Sequence, residues 1–318
     1  MILRGKTAMT PARFFIPALL VAAAMAVAQT SNPPAGTQGS NPPAGAQDSN
    51  PQPPPLQASH TNPKARRLPS AKTKQEYDQY LAAANASDAA TSEQLAREFE
   101  VQFPHSELLT ILYQQVMGKY QKADNSDKTL DMGRKALQYD PDNCVALVMS
   151  ATVLAERTRQ TDIDRDQRLK EATTDAQRAL ENIRTDNYLL TPNATPEQVQ
   201  QFKDQVIGMA YQALGKAEME RENNAAAEQD FRKAIETPAG KGDAIVWYRL
   251  ALALDRQNKY ADANAAITTA VALAPANSAV ASMAKNEQSR LKQLAAGGAA
   301  ANPAPKSSQP EPEVVQPK

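Results

Sequence analysis

The chain has 318 residues, of which 42% are hydrophobic and only 5% aromatic, a balance that suits closely packed helices better than a β-sandwich. Basic and acidic residues both number 35, so nothing suggests the basic stripe that a nucleic-acid binder requires. The single cysteine, Cys144, excludes an internal disulfide.

Residues 1–28 have the pattern of an export signal. Three basic residues and no acidic residue are followed by an apolar run of about 15 residues, and a small-x-small cleavage site ends at Ala28. The run is shorter than the roughly 20 residues that span a bilayer. We therefore predict cleavage after Ala28 and a periplasmic or secreted protein. The alternative is an uncleaved signal that anchors the chain in a membrane.

Residues 29–71 are predicted to be a disordered linker rich in proline, asparagine and glycine. Ser-Asn-Pro recurs at Ser31, Ser40 and Ser49, and almost no large apolar side chain is present. Such a segment is typical of a solvated, partly polyproline-like tether. A proline-rich docking ligand is the alternative. Residues 297–318 contain five prolines and are also predicted to be disordered.

Residues 72–184 are predicted to form amphipathic helical hairpins, because helix-forming residues replace the linker composition at this point. The first hairpin ends at Pro104 and the second at Pro141, since proline cannot continue a helix. The third begins at Cys144. Its second helix comes about nine residues later than the hairpin spacing requires, because a charged insertion occupies residues 157–168.

Residues 185–195 are predicted to be a loop, and residues 196–296 to form C-terminal repeats and a capping helix. Thr195 is placed to cap the helix that follows, with Pro196 in its first turn. Two further hairpins cover residues 208–241 and 244–277. The last helix is polar enough to cap an array against solvent.

The stretch from Ala244 to Asn277 has the clearest pattern: two short amphipathic helices, a tight turn and a closing proline. It resembles a tetratricopeptide repeat, a 34-residue helical hairpin. The matching residues are Trp247, Leu250, Ala251, Tyr260, Ala263, Ile267, Ala270 and Pro275. The resemblance is strong over residues 208–277 and weak over residues 72–105. It implies an all-α fold, an α-solenoid of about five stacked hairpins, of an exported bacterial type.

In proteins of this family, the first helices of successive repeats line a concave groove that binds a peptide or a partner protein. The motif places of that groove fall here on Gln212, Lys216, Tyr248, Leu252 and Asp255, which are the predicted partner-binding residues. Upstream, the same places fall on Gln114, Gln121, Val148 and Thr152. Tyr248 and Leu252 should be exposed unless a partner or a capping helix covers them. An ordinary solvated helix face is the alternative.

Residue patterns for catalysis or metal binding are weak. His60 and His105 have no nearby nucleophile, and Cys144 enters an apolar helix, as packed cysteines do. The aspartates that begin at Asp162 have the spacing of a calcium loop, without its glycine and its glutamate. We predict no enzymatic activity, cofactor or metal. The favoured function is an exported scaffold for a protein or peptide partner; the alternative is an envelope spacer whose Pro-rich tails carry recognition.

Overall fold

The computed structural model describes residues 66–190 and 194–297. Within these ranges the chain forms twelve helices and no strand. The helices are α1 (Lys74–Ala84), α2 (Ala89–Gln102), α3 (Leu109–Lys122), α4 (Ser126–Tyr139), α5 (Cys144–Arg157), α6 (Arg165–Arg184), α7 (Pro196–Glu220), α8 (Asn224–Glu236), α9 (Pro238–Lys241), α10 (Ala244–Asp255), α11 (Tyr260–Leu273) and α12 (Ala279–Gly297).

Ten of these helices pair into five hairpins: α1 with α2, α3 with α4, α5 with α6, α7 with α8, and α10 with α11. The second helix of each hairpin packs on the first helix of the next, and α12 packs on α11. This arrangement confirms the predicted α-solenoid of TPR-like hairpins. The predicted signal, most of the linker and the C-terminal tail lie outside the described residues.

Side-chain caps explain where many helices begin. A side-chain oxygen before the first turn accepts a hydrogen bond from a backbone N–H that has no partner within the helix. The capping residues are Thr73, Asp88, Asn125, Asn143, Thr195 and Asp243. Thr195 and Gln198 form a reciprocal capping box with Pro196 in the first turn, which confirms the helix start predicted from the sequence.

One type of turn ends four helices whose sequences differ. A residue shortly after each helix takes the left-handed conformation: Asp124 (φ 54), Asp186 (φ 56), Glu222 (φ 61) and Asn258 (φ 62). The N–H of the following residue then donates to the carbonyl five residues back, as from Lys259 to Leu254 at 3.0 Å. This Schellman geometry satisfies carbonyls that the helix end leaves free. Three of these turns reverse the chain inside a hairpin.

The buried apolar side chains form two clusters that meet in α7. The first cluster reaches Leu214 and the second begins at Met219, while Tyr211 packs against both. The segment before α7 belongs to the first cluster, because Tyr188 is buried and its ring lies 5.5 Å from that of Phe202. The 25 residues of α7 therefore connect the two halves of the core.

Small residues bring helices together in the C-terminal hairpin. Ala251, Ala263 and Ala270 are all fully buried, as the motif implies. Trp247 fills less of the core than expected, since it is only partly buried and its indole N–H donates to the Lys241 carbonyl at 2.9 Å. The small-residue places are therefore occupied as predicted, whereas the residue in the aromatic place, Trp247, is only partly buried.

Candidate functional site

The first helices α3, α5, α7 and α10 form what we call the first-helix face. Arg249 of α10 makes a bidentate ion pair with Glu156 of α5, with N–O distances of 2.7 and 2.8 Å. These helices belong to hairpins that are two places apart in the stack. A curved stack brings such hairpins into contact only on its inner side, so the first-helix face is concave.

All five predicted partner-binding residues lie on this face, and all five are buried. Their exposed fractions are 7% for Gln212, 7% for Lys216, 8% for Tyr248, 6% for Leu252 and 3% for Asp255. Tyr248 and Leu252 were expected to be exposed unless a partner or a capping helix covered them; both are buried and belong to the second apolar cluster.

The charged members of the set are held by neighbours in the chain. The Lys216 ammonium lies 2.8 Å from the Glu220 carboxylate, one turn further along α7, and both side chains are buried. Asp255 accepts from Arg290 of α12, which also binds Glu287 at 2.7 Å. Burial raises the pKa of Asp255, although Arg290 opposes the shift. The last predicted site residue therefore joins α10 to the capping helix.

Two further charged residues belong to the concave face: Glu156, which sequence reasoning missed, and Arg249, which it left out of the partner-binding set. Arg249 is 3% exposed and lies close to Asp243. Burial raises the pKa of Asp243, and the positive charge of Arg249 opposes part of this rise. Asp243 also caps α10 by accepting from the Ile245 N–H at 2.9 Å. The sequence did contain a signal for this ion pair: Arg249 is a lone charge within the apolar run of α10, and a buried arginine requires a partner.

At the other end of the face, α3, α5 and the start of α7 enclose a small cleft. Gln114 lines the cleft and is buried; of the other upstream groove places, Val148 is buried, and Gln121 and Thr152 are half-buried. The Asn143 amide donates to the Gln114 side-chain oxygen at 2.7 Å. The cleft volume is ≈ 10 Å³, room for about one water molecule. Its lining residues are Ile111, Gln114, Asn143, Cys144, Val145, Leu189 and Phe202.

Cys144 lines this cleft as a free thiol that is 3% exposed. Burial, together with the nearby carboxylate of Asp140, raises the pKa of the Cys144 thiol to about 12. Cys144 lies at a helix start, which can lower a thiol pKa, but burial away from water raises the pKa by more. The thiol is therefore protonated at neutral pH.

The charged insertion contacts α7 instead of extending freely into solvent. Gln160 donates to the Glu220 carbonyl at 3.2 Å, and the Arg165 guanidinium donates to the same oxygen. These bonds satisfy a carbonyl at the end of α7.

In the described part of the chain, no group of three or more His, Cys, Asp or Glu residues could hold a metal ion. Among the same residues, no helix combines the length and the apolar character needed to cross a bilayer.

These features define the class: an all-α solenoid of TPR-like hairpins with a concave first-helix face. No family model and no curated protein matches the chain. The solved structures that resemble it include PilF of Pseudomonas aeruginosa, at a TM-score of 0.45, and PilW, described as a widely conserved type IV pilus biogenesis factor, at 0.44. Both are 15% identical; the matches cover 71% of this chain and 96% and 94% of those chains. Alignments this loose indicate neither a shared function nor a shared partner.

Proposed function

We propose that this protein is a non-enzymatic, exported scaffold that binds a protein or peptide along its concave first-helix face. One observation carries the proposal. Polar and charged side chains from successive first helices are more than nine-tenths buried on the inner side of the stack, as for Gln212, Lys216 and Arg249. A partner that enters this side meets donors and acceptors already held in place.

A contribution to folding stability does not by itself explain why these polar and charged side chains are buried on the first-helix face. Replacing a buried ion pair by well-packed apolar residues is often neutral or stabilising, because desolvation offsets most of the attraction. The outer helices show that this chain can pack its hairpins with alanine, as at Ala227 and Ala263. Polar groups that are ordered before binding lower the entropy cost of association. The pairs Lys216–Glu220 and Arg249–Glu156 fit that role.

Two threonines of the same hairpin provide a matched test. Thr152 is half-buried on α5, between Val148 and Glu156 of the concave face, whereas Thr174 is exposed on the second helix α6. A photo-crosslinking residue at each position, in the native cell envelope, should trap a defined partner from position 152 and not from position 174. Equal trapping from both positions would contradict the proposed face.

Purified components then test the interface directly. Thr152→Lys should weaken binding of the identified partner by more than about tenfold, a loss of about 1.4 kcal/mol, because it places a new charge inside the face. Thr174→Lys should change the affinity less than about twofold, as neutral contacts do. If neither variant changes binding and deletion of residues 29–65 abolishes it, the envelope-spacer alternative is favoured, with recognition in the Pro-rich segment.

A further inference from the structure

Two carboxylates of the first-helix face share one guanidinium. Glu156 of α5 makes the bidentate ion pair with Arg249, and Asp243 lies beside both groups. Burial is the main reason why the pKa of Asp243 is raised; the charge of Arg249 opposes the rise and that of Glu156 adds to it. When all three groups are ionised, the cluster has one negative charge in excess, which attracts a further cation.

Glu156 is the member of this cluster that a partner can reach. Its side chain is 32% exposed, whereas that of Arg249 is 4% exposed. The bidentate pair occupies one side of the carboxylate, and an ionised carboxylate accepts about four hydrogen bonds. Glu156 can therefore accept from a second donor without releasing Arg249.

The face is open next to Glu156. Thr152, one turn earlier on α5, is half-buried. Gly118 of α3 lies one repeat length of 34 residues before Thr152 and occupies the same motif place. A Cβ at Gly118 would meet no atom within 4 Å, whereas a Cβ at Gly215 would lie 2.8 Å from the Phe231 ring. Helix packing therefore requires a glycine at 215 but not at 118, where the missing side chain leaves space for an incoming group.

A second carboxylate on the neighbouring first helix also has unused capacity. Glu220 follows Lys216 by one turn of α7, as Glu156 follows Thr152 on α5. Its Oε1 binds the Lys216 ammonium at 2.8 Å, while its Oε2 is buried without a hydrogen-bond partner. Buried carboxylate oxygens are normally satisfied. On this part of the face the unused groups at Glu156 and Glu220 are acceptors, which match a donor that carries positive charge.

Building on the proposed function, we propose that Glu156 is the docking point for a basic side chain, lysine or arginine, of the protein partner. The cationic group enters beside Thr152 and donates to the exposed side of the Glu156 carboxylate, while Arg249 holds that carboxylate in place. Asp243 is a positioning residue, because it shares the charge of Arg249 and leaves Glu156 incompletely neutralised. A carboxylate of the partner would be repelled at the same place.

Two small probes test the chemistry on the purified, isotope-labelled full chain. N-acetyl-lysine methylamide should shift the backbone amide signals of Thr152 and Glu156 and saturate. It should bind at least about tenfold more tightly than N-acetyl-norleucine methylamide, which has a similar shape but no charge. Equal affinities for the two probes, or no saturable shift at these amides, would overturn the proposal.

Three variants locate the binding of the lysine probe. Glu156→Gln should weaken it about tenfold, and Asp243→Asn about threefold, although asparagine caps a helix as well as aspartate does. Glu181→Gln removes an exposed carboxylate from α6 of the same hairpin and should leave the affinity unchanged. Equal losses from Glu156→Gln and Glu181→Gln would show non-specific attraction and refute the proposal. If Glu156→Gln loses its helical circular-dichroism signal, Asp243→Asn decides, and an unchanged affinity there refutes the proposal.

Charge reversal at Thr152 separates this inference from the scaffold function itself. With the partner that is trapped from position 152, Thr152→Lys should weaken binding by more than about tenfold, whereas Thr152→Glu should maintain or strengthen it, because a second carboxylate attracts the same basic side chain. Equal losses from both variants would overturn the basic docking group and leave the first-helix face standing. No loss from either variant would contradict both the docking group and the face.

Discussion

The two ends of the described array hold their helices together by different chemistry. At the N-terminal end, two carboxylates of α2 each accept hydrogen bonds from a tyrosine of α3 and a lysine of α4. The groups are Glu93 with Tyr120 and Lys128, and Glu100 with Tyr113 and Lys135. At the C-terminal end, α10 and α11 meet through fully buried alanines, Ala251 and Ala263. We call the N-terminal set the carboxylate ladder.

The ladder shifts the pKa values of its members in opposite directions. Burial alone would raise the pKa of Glu93, but hydrogen bonds from Tyr120, Lys128 and Arg97 outweigh it, and the pKa lies below its usual value. The pKa of Glu100 is lowered in the same way. Burial, together with the bond to Glu93, raises the pKa of Tyr120 to about 12. The ladder is therefore fully formed at neutral pH, with ionised carboxylates and neutral tyrosines.

The difference shows how a stack tolerates the loss of its motif. The first hairpin departs from the motif spacing, although Ala83 and Ala96 are fully buried in it, and directional hydrogen bonds from the carboxylate ladder join it to the second hairpin. Phe99, Ala96 and Tyr80 still supply buried apolar contact. A resemblance that depends on alanine spacing is consequently strong at residues 208–277 and weak at residues 72–105, although both regions fold as stacked hairpins.

The largest expected effect comes from enlarging a small residue at the C-terminal end. Ala263→Leu should destabilise the protein by about 3 kcal/mol, because a fully buried contact between α10 and α11 has no room for three more carbons. Urea unfolding followed by circular dichroism measures the change. Ala265→Leu, at an exposed position of the same helix, is the control and should be nearly neutral.

Removing a ladder carboxylate should have the next largest effect. Glu100→Ala should cost about 2 kcal/mol, since Tyr113 and Tyr139 both lose the acceptor of their hydroxyl groups. Glu98→Ala removes an exposed carboxylate from the same helix and should change the free energy of unfolding by less than about 0.5 kcal/mol. If both substitutions cost the same, the ladder does not hold the first hairpin.

Acid should loosen the N-terminal end before the C-terminal end. The ladder carboxylates have folded-state pKa values below their unfolded value of 4.5. Their stabilisation is therefore present above pH 4.5 and is lost as the pH falls through the folded values. Hydrogen exchange, corrected for intrinsic rates, should show α1 and α2 losing protection in this window before α10 and α11. The double variant with Glu93→Gln and Glu100→Gln should lack this selective response.

The smallest expected effect on stability concerns a turn that both ends of the array contain. Asp124 follows α3 and Asn258 follows α10, and both adopt the left-handed conformation in the same type of turn. Asp124→Gly and Asn258→Gly should each stabilise by about 0.5 kcal/mol, because glycine adopts this conformation without strain but has more freedom when unfolded. Urea midpoints measure the gain. A clear loss at one site only would show that the two turns are not equivalent.

Local patterns predicted most of the fold. The hairpin boundaries near Pro141 and Pro275, the cap at Thr195 and the buried Ala263 each depend on residues close together in sequence. The candidate site was predicted less well: the five residues lie on the expected face, yet Tyr248 and Leu252 are covered, Glu156 was missed and Arg249 was left out of the set. The carboxylate ladder was missed too, because glutamates on a helix resemble ordinary solvated residues.

The sequence by itself therefore determined the helical hairpins, their order and the faces that they bury, since apolar spacing, caps and prolines act within a few residues. Only the tertiary structure decided how strongly the stack curves. The pair Arg249–Glu156 joins residues 93 positions apart, and it forms because small rotations between hairpins accumulate over the array. No local pattern encodes that sum, and it is the sum that makes the first-helix face concave.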